Sequence, residues 1–560
     1  MIRMEKDEKP SITQKFLGVN PVSLMNELPV KKNPTYMRKG FMYWTGALIS
    51  VAFVYQIITG LVLLLYYNPA HPYTSTQLML TTVPYAQLID ATHLYGAFAM
   101  IVLVYIHLFR NYFAGAYKRP RQLQWITGVI LLALTIGVCF FGYSMPGDVL
   151  GADAEGVGSG FAFATPVIGP SIQIILFGNG SNTASLFSRL LGWHIILAAL
   201  VGLLFGLHFF MAEYHNIMPS RKESKDRAPA IVKEDDTMKA WYPYNFVFTI
   251  QLALFAFGFI LLIPSVIALL PNVPALFSPL PGPSRFSPLA GNPVLYPDYP
   301  PWFLLFVYKA VDFFKGTVSI GPFTLNGGLF ASGVFGGLPL LYLLALPFID
   351  RSDDLHPLKR PIITGIGIYL IIYLTILSVW GAMTPGVPVP LADALFVLGV
   401  PFVIVILGML AIGHLYRKGK LDITYDKIMG SLAVFIIFLM IGIFATAVNF
   451  SAFLSLDSVG SLMDTLAAGA ATSFAAVGVA RTASVSYAKT APPKRKPVTM
   501  SKNSATILVT ILLVISVAIM SLVINLNPIS GQMIFGVGLG VDLIIAGFVL
   551  RLYRLVVYNE

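Results

Sequence analysis

Long apolar runs separated by short polar stretches fill the chain from residue 43 onward. Crossing a bilayer as a helix takes about 20 apolar residues. Runs of that kind lie near 43–66, 88–109, 125–145, 187–212, 246–270, 328–348, 362–382 and 393–415, then near 431–450, 506–525 and 533–553. A weaker run near 462–480 is rich in Ala, Gly and Ser, which let membrane helices approach closely. The polar stretches alternate in charge. Basic groups occur at Lys118, Arg119 and Arg121, at Arg221, Lys222, Lys225 and Arg227, at Lys359 and Arg360, at Arg417, Lys418 and Lys420, and at Lys494, Arg495 and Lys496. Residues 67–87, 144–188, 383–392 and 526–532 hold no Lys or Arg. The positive-inside rule puts the basic stretches and the N-terminus in the cytoplasm. The alternation closes only if the weak run also spans, so twelve helices are expected, with the C-terminus inside. Two outer loops are long: 146–186, rich in Gly, Ala and Phe, and 271–327, rich in Pro. Loops of this length are usually functional, and both fall on one face, where they can cover one site.

The pattern predicts an all-α integral membrane protein of the plasma membrane. Its expected sections are a cytoplasmic segment 1–42, a four-helix bundle 43–212, a second half 213–427 with helices five to eight, and additional helices over 428–560. Composition agrees. Only 11% of residues are charged and 56% are hydrophobic, against about 25% charged in soluble domains; mean hydropathy is +0.76. The net charge of +11 does not point to nucleic acid, because the basic residues sit in short loops where they read as topology signals. The single cysteine, Cys139, lies in an apolar run. That excludes a disulfide framework, cysteine-held iron–sulfur clusters and CxxCH haem attachment. The polar N-terminus shows no cleavable signal pattern.

The candidate chemistry is in four histidines. His93 and His107 are 14 residues apart, and so are His194 and His208, each pair within an apolar run. Fourteen residues are about four helical turns and about 21 Å of rise, so both members of a pair share one face. A lone intramembrane His is more often structural than a ligand. Two equally spaced pairs on separate helices point instead to two bis-imidazole sites, one near each surface. Bis-His iron is closed to substrate and suits electron transfer. The helix of His93 runs inward from the outer 67–87 loop, and His194 also follows an outer loop. His93 is therefore expected to pair with His194 at an outer haem, and His107 with His208 at an inner one. Gly46 and Gly60, and Gly128 and Gly142, repeat the 14-residue interval on the first and third helices. Glycines serve helix packing or make room for a flat macrocycle at each level; the matched period favours the second. Arg110 and Arg189, near the membrane edges, either snorkel or pair with haem propionates.

The segments WTGALISVAFVYQIITG, HLYGAFAMIVLVYIHLFR, WITGVILLALTIGVCFFGYSMPG, PVIG (166–169) and RLLGWHIILAALVGLLFGLH together resemble cytochrome b of the quinol-oxidising bc complexes, over about residues 28–415. The resemblance implies two haems in a four-helix bundle, a quinol-oxidation site on the outer face, a quinone-reduction site on the inner face and a docked Rieske iron–sulfur protein. It implies an outer pocket built from Phe141, Tyr143, Met145, Pro166, Pro300, Trp302, Phe303 and Tyr308, and an inner site at Glu213, His215 and Thr249. Several positions depart from the family pattern. The outer Pro-Glu-Trp-Tyr reads Pro300-Pro301-Trp302-Phe303, so the glutamate that takes a quinol proton is Pro301 here. Asp298 is the nearest acid in sequence and the expected substitute, followed by Asp148. Pro-Trp-Gly after the third helix reads Pro146-Gly147-Asp148, and an arginine three residues before the first His is Asp90. The added C-terminal helices and the altered motif look like archaeal cytochromes b of thermoacidophiles, which work in supercomplexes with terminal oxidase subunits. Membrane quinone, the Rieske protein, oxidase subunits and lipids are thus the expected partners. Bis-His ligation leaves b-type and a-type haem both open. Two rival functions remain at this stage: a transporter whose buried histidines mark a pathway, and a dihaem anchor serving a peripheral dehydrogenase.

Overall fold

The computed structural model describes residues 32–39, 41–178, 183–219, 224–231, 238–271, 300–420 and 500–559. In chain order the helices are α1 (Thr45–Leu64), α2 (Pro72–Thr82), α3 (Ala86–Ala114), α4 (Gln122–Ser144), α5 (Val149–Ala164), α6 (Gly169–Leu176) and α7 (Thr183–His215). There follow α8 (Phe246–Leu269), α9 (Leu305–Val311), α10 (Gly327–Ser332), α11 (Leu338–Ile349), α12 (Pro361–Met383), α13 (Leu391–Arg417), α14 (Lys502–Val523) and α15 (Gln532–Val557). One antiparallel hairpin, Thr317–Ile320 with Phe323–Asn326, interrupts them. Among the described residues ten helical stretches are long and apolar enough to cross a membrane, with α10 and α11 counted as one span, Gly327–Ile349. They coincide with the eight strong runs up to 415 and with 506–525 and 533–553. The expected spans near 431–450 and 462–480 lie outside the described residues.

The two ends of the helices are unlike. At one end the basic loops come together. Lys118 Nζ reaches Asp350 Oδ1 at 2.8 Å, Arg119 pairs with Asp353 and Lys359 with Asp354, and Arg360 bonds the carbonyls of Phe113 and Leu355. Arg121 donates to the carbonyls of Ala230, His215 and Asn216. Lys118, Arg121 and Arg360 are buried by these contacts, so the cations tie residues 115–121 to His215, Asn216 and Ala230 and to the 350–360 stretch. The other end carries α2, α5, α6, α9 and the hairpin.

Membrane helices lack a hydrophobic drive to associate and rely on close packing. The α8–α15 seam is made that way. A Cβ on Gly258 would stand 2.8 Å from the Gly540 carbonyl oxygen, and one on Gly540 would stand 2.8 Å from the Leu262 nitrogen. Polar contacts fix the register: Arg554 Nη1 donates to Gln251 Oε1 at 2.8 Å, and the Leu88 N–H donates to Gln532 Oε1 at 3.1 Å. The C-terminal helix is thus packed into the main body, against α8 and α3.

Candidate functional site

The bundle of α1, α3, α4 and α7 sets the four histidines at two levels. His93 on α3 faces His194 on α7 with ring centroids 6.4 Å apart, and His107 faces His208 at 6.5 Å. Two imidazoles on opposite sides of one metal, each bond about 2 Å, have centroids about 6 Å apart. All four side chains are half-buried. The expected pairing, outer with outer and inner with inner, is the one the helices bring together.

Each ring is held by its Nδ1. Thr59 Oγ1 lies 2.8 Å from His93 Nδ1, Thr45 Oγ1 2.9 Å from His107 Nδ1, and Thr127 Oγ1 3.1 Å from His208 Nδ1. At His194 the Val138 carbonyl, 2.9 Å from Nδ1, takes that place. A carbonyl only accepts, so His194 carries its proton on Nδ1 and leaves Nε2 with a lone pair. Metal-ligating histidines are oriented in this manner by the group on the other nitrogen. At His107, Asn111 Nδ2 lies 3.0 Å from Nε2; an amide N–H there needs an acceptor, so the same tautomer follows.

The glycines face the rings. A Cβ on Gly46 would lie 3.5 Å from His107 Cε1, on Gly60 3.2 Å from His93 Cε1, on Gly128 3.0 Å from His208 Cε1, and on Gly142 2.7 Å from His194 Cε1. The clearance goes to the imidazole itself, so a third use joins packing and macrocycle room. Three of these glycines follow a threonine, at Thr45-Gly46, Thr59-Gly60 and Thr127-Gly128. The pair is a cradle: glycine admits the ring and threonine bonds its Nδ1. That signal lies in the sequence, as a Thr-Gly step at three of the four positions. Gly142 follows Phe141, and there a carbonyl one turn earlier substitutes. The residues present therefore fit a metal macrocycle at each level, with His93 and His194 as one ligand pair and His107 and His208 as the other. Arg110 lies over the Tyr43 ring at 4.9 Å and donates to Asn111 Oδ1; Arg189 is half-buried on α7.

At the loop-rich end a cavity of about 190 Å³ opens between α5, the 300–308 segment and α10, lined by Asp153, Val157, Phe161, Pro300, Pro301 and Tyr308 among others. Lys309 anchors the 300–308 wall: its buried Nζ bonds Asp312, Thr384 and the Val387 carbonyl. Of the residues expected in an outer pocket, Pro300 and Tyr308 line the cavity. Phe140 lines it rather than Phe141. One residue turns a helix by about 100°, and Phe141 is instead buried against Phe177, in a cluster with Phe187. Met145 packs on that cluster. Trp302 stands edge-on to Phe98 and Phe303, the latter buried. Among the described residues the buried Tyr143 hydroxyl has no hydrogen-bond partner, and Pro166 is exposed before α6.

Asp298 lies outside the described residues. Asp148 caps α5, its Oδ1 accepting from the Gly151 N–H at 2.8 Å. Burial lifts its carboxyl to about 6, the Gly151 bond pulling down and the Asp153 charge pushing up. Glu213 and His215 close the C-terminal end of α7, where the His215 carbonyl accepts from Arg121. Thr249, half-buried, lies in the first turn of α8.

Residues 98–281 match the family model described as cytochrome b(N-terminal)/b6/petB, a stretch holding three of the four histidines. Cytochrome b of Sulfolobus acidocaldarius is 42% identical over 394 residues, 68% of each chain. The menaquinol:cytochrome c reductase cytochrome b subunit of Geobacillus thermodenitrificans is 34% identical over 34% of this chain and 88% of its own. A solved chain described as hyperthermophilic respiratory complex III superposes with a TM-score of 0.52 at 23% identity, covering 72% of this chain and 98% of that one. That last likeness is one of fold.

Proposed function

The chain belongs to the cytochrome b family, and from that premise we propose that it is the dihaem subunit of a quinol-oxidising respiratory complex. It oxidises membrane quinol at its outer face, hands electrons to a Rieske-type iron–sulfur partner, and carries electrons across the membrane through two bis-His haems, b-type or a-type. The outer face is the end bearing α2, α5 and α9, and the N-terminus is cytoplasmic. The relatives' names support the substrate class, one being a menaquinol:cytochrome c reductase subunit.

The observation that carries the reading is the pair of facing imidazoles at 6.4 and 6.5 Å, each with Nδ1 engaged. A transporter has no use for a doubled, metal-sized gap between oriented rings. Haem iron, when bound, supplies a one-electron carrier at each level. The protein's part is orientation and dielectric. Thr59 and the Val138 carbonyl fix the rings of the outer pair, Thr45 and Thr127 those of the inner pair. The half-buried bundle keeps bulk water away, and the cavity beside α5 receives the quinol headgroup between Pro300, Tyr308 and Phe140. Arg110 and Arg189 stand at the edges, where propionates would reach. The inner site at Glu213, His215 and Thr249 is the corresponding place for quinone.

A pyridine haemochrome assay on the purified chain tests this directly, with two haems per chain expected. Quinol added to membranes should reduce them in a manner sensitive to outer-site inhibitors. One haem or none would overturn the dihaem reading.

A further inference from the structure

A carboxylate within the hydrocarbon of a bilayer is costly unless something pairs with it. Among the described residues of the ten spans, Asp542 is the only Asp, Glu, Lys or Arg more than two turns from both ends. It stands ten residues into α15, with fifteen residues beyond it. Ser516 of α14 donates to it, and among the described residues that is its one hydrogen bond. An ionised carboxyl offers about four acceptor sites, so a single hydroxyl leaves most of them open. The cations of these two helices stand elsewhere. Lys502 opens α14, Arg551 follows Asp542 by nine residues, and Arg554 is bonded to Gln251. Nine residues of helix are about 14 Å. The Ser516–Asp542 pair lies in the seam of α14 and α15, and the flanks of that seam are uncovered. Ile515 and Val517, on either side of Ser516, are exposed, as are Ile534 and Phe548 of α15. Ile534, Val541 and Phe548 repeat every seven residues, which makes one stripe along α15 beside Asp542. Another side of α15 is taken, since Gly540 and Gly547 meet Leu262 and Phe255 of α8.

We propose that the α14–α15 seam docks a transmembrane helix of a partner subunit, one that carries a Lys, Arg or His at the depth of Asp542. Charge selects this occupant. Lipid tails would cover the apolar stripe equally well, but they offer a carboxylate neither a donor nor a charge. A second copy of the same seam would set Asp542 against Asp542, and like charges repel. A cationic side chain supplies both donors and opposite charge, and that attraction is stronger in a low-dielectric medium than in water. Charged residues inside membranes pair with one another in this way. A helix laid along Ile534, Val541 and Phe548 would reach the Ser516–Asp542 pair with its own side chains. The docking does not depend on the reading of the bundle as an electron carrier.

The test uses the full chain in its native membrane, with a photoreactive phenylalanine analogue in place of Phe548. Irradiation should join the analogue to an apolar run of another subunit, and sequencing of the cross-linked peptide should find Lys, Arg or His near the middle of that run. Asp542→Asn keeps the size of the side chain and its contact with Ser516. It should lower the cross-link yield by roughly tenfold or more, as truncation of one partner in a buried charge pair does, with the absorption spectrum of the bundle unchanged. Asp542→Lys, combined with an acid in place of the partner's cation, should restore the yield. Where Asp542→Asn fails to assemble, the peptide cross-linked to the parent decides alone. A partner run without such a cation overturns the proposal. So do adducts with lipid only, with a second copy of α14 or α15, or with residues 421–499 of the same chain. An undiminished yield in Asp542→Asn overturns it as well.

Discussion

The four glycines opposite the histidines form a graded series. Their hypothetical Cβ atoms would stand 3.5, 3.2, 3.0 and 2.7 Å from Cε1 of His107, His93, His208 and His194. Ordinary contact is tolerated at the first, while the last demands movement of ring or helix, because tight interiors resist added methyls. Alanine at Gly46 should therefore leave the inner haem spectrum near normal, and alanine at Gly142 should lower outer-haem occupancy or shift its potential. Potentiometric titration of the four single variants reads the order; equal effects at all four would remove steric fit as the reason for glycine. The threonines test the other half of the cradle. Thr59→Val keeps the shape and removes the Nδ1 partner, and loss of such a second-sphere group typically costs 10–100-fold in metal affinity. Haem retention under detergent challenge should fall at the outer level alone.

At the scale of the element, α5 forms one wall of the cavity beside Pro300 and Tyr308, and Asp148 caps it. A carboxyl lifted from about 3.9 to about 6 in the fold favours the protonated form there. Its contribution to stability is complete below the unfolded value and is lost as pH rises through about 6. Asp148→Asn keeps a good cap and cannot ionise. The variant should match the parent in thermal unfolding at pH 4 and exceed it at pH 7.5. A gap that is constant with pH would mean that the Asp148 charge is not buried. The seam between α8 and α15 has the opposite character, steric rather than electrostatic. Gly258 and Gly540 meet backbone to backbone, so Gly540→Val has no flexible neighbour to displace and should loosen the C-terminal helix, read as faster hydrogen exchange over 532–557.

For the whole molecule the tail is the surprise. Its helices carry no His after residue 428, and from sequence they look like an added module for a partner or lipid. In the structure Met533 of α15 packs with Leu88, Ala91 and Leu261 in one buried cluster, and Arg554, fully buried, lies 4.4 Å over the Phe248 ring while bonded to Gln251. Removing residues after 428 should spare all four histidines of the bundle yet destabilise the body, because Gln251 and the Leu88 N–H lose partners and buried polar groups without partners are costly. Haem content should persist, with a lower unfolding temperature. Unchanged thermal stability would return the tail to the status of a detachable module. Among the described residues, packing buries only Ala505 and Val523 of α14.

Periodicity and charge, both readable from the chain, determine the spans, the basic end and the histidine levels. They do so because a bilayer forces every spanning segment into one regular shape, in which a 14-residue interval has a single geometric meaning. The Thr-Gly cradle was equally legible, being local to one turn of helix. Tertiary structure alone decided the rest. Phe140 rather than Phe141 faces the cavity because Phe141 is buried against Phe177 in a cluster with Phe187 and Leu190. Asp153 and Pro301 line one cavity only because a loop helix and a segment about 150 residues later come together, and nothing in either stretch encodes its partner. The α15 docking likewise depends on a fit between glycine surfaces remote in sequence. Contacts within a helix follow from its period, whereas contacts between distant segments follow from shape, which exists only once the chain is folded.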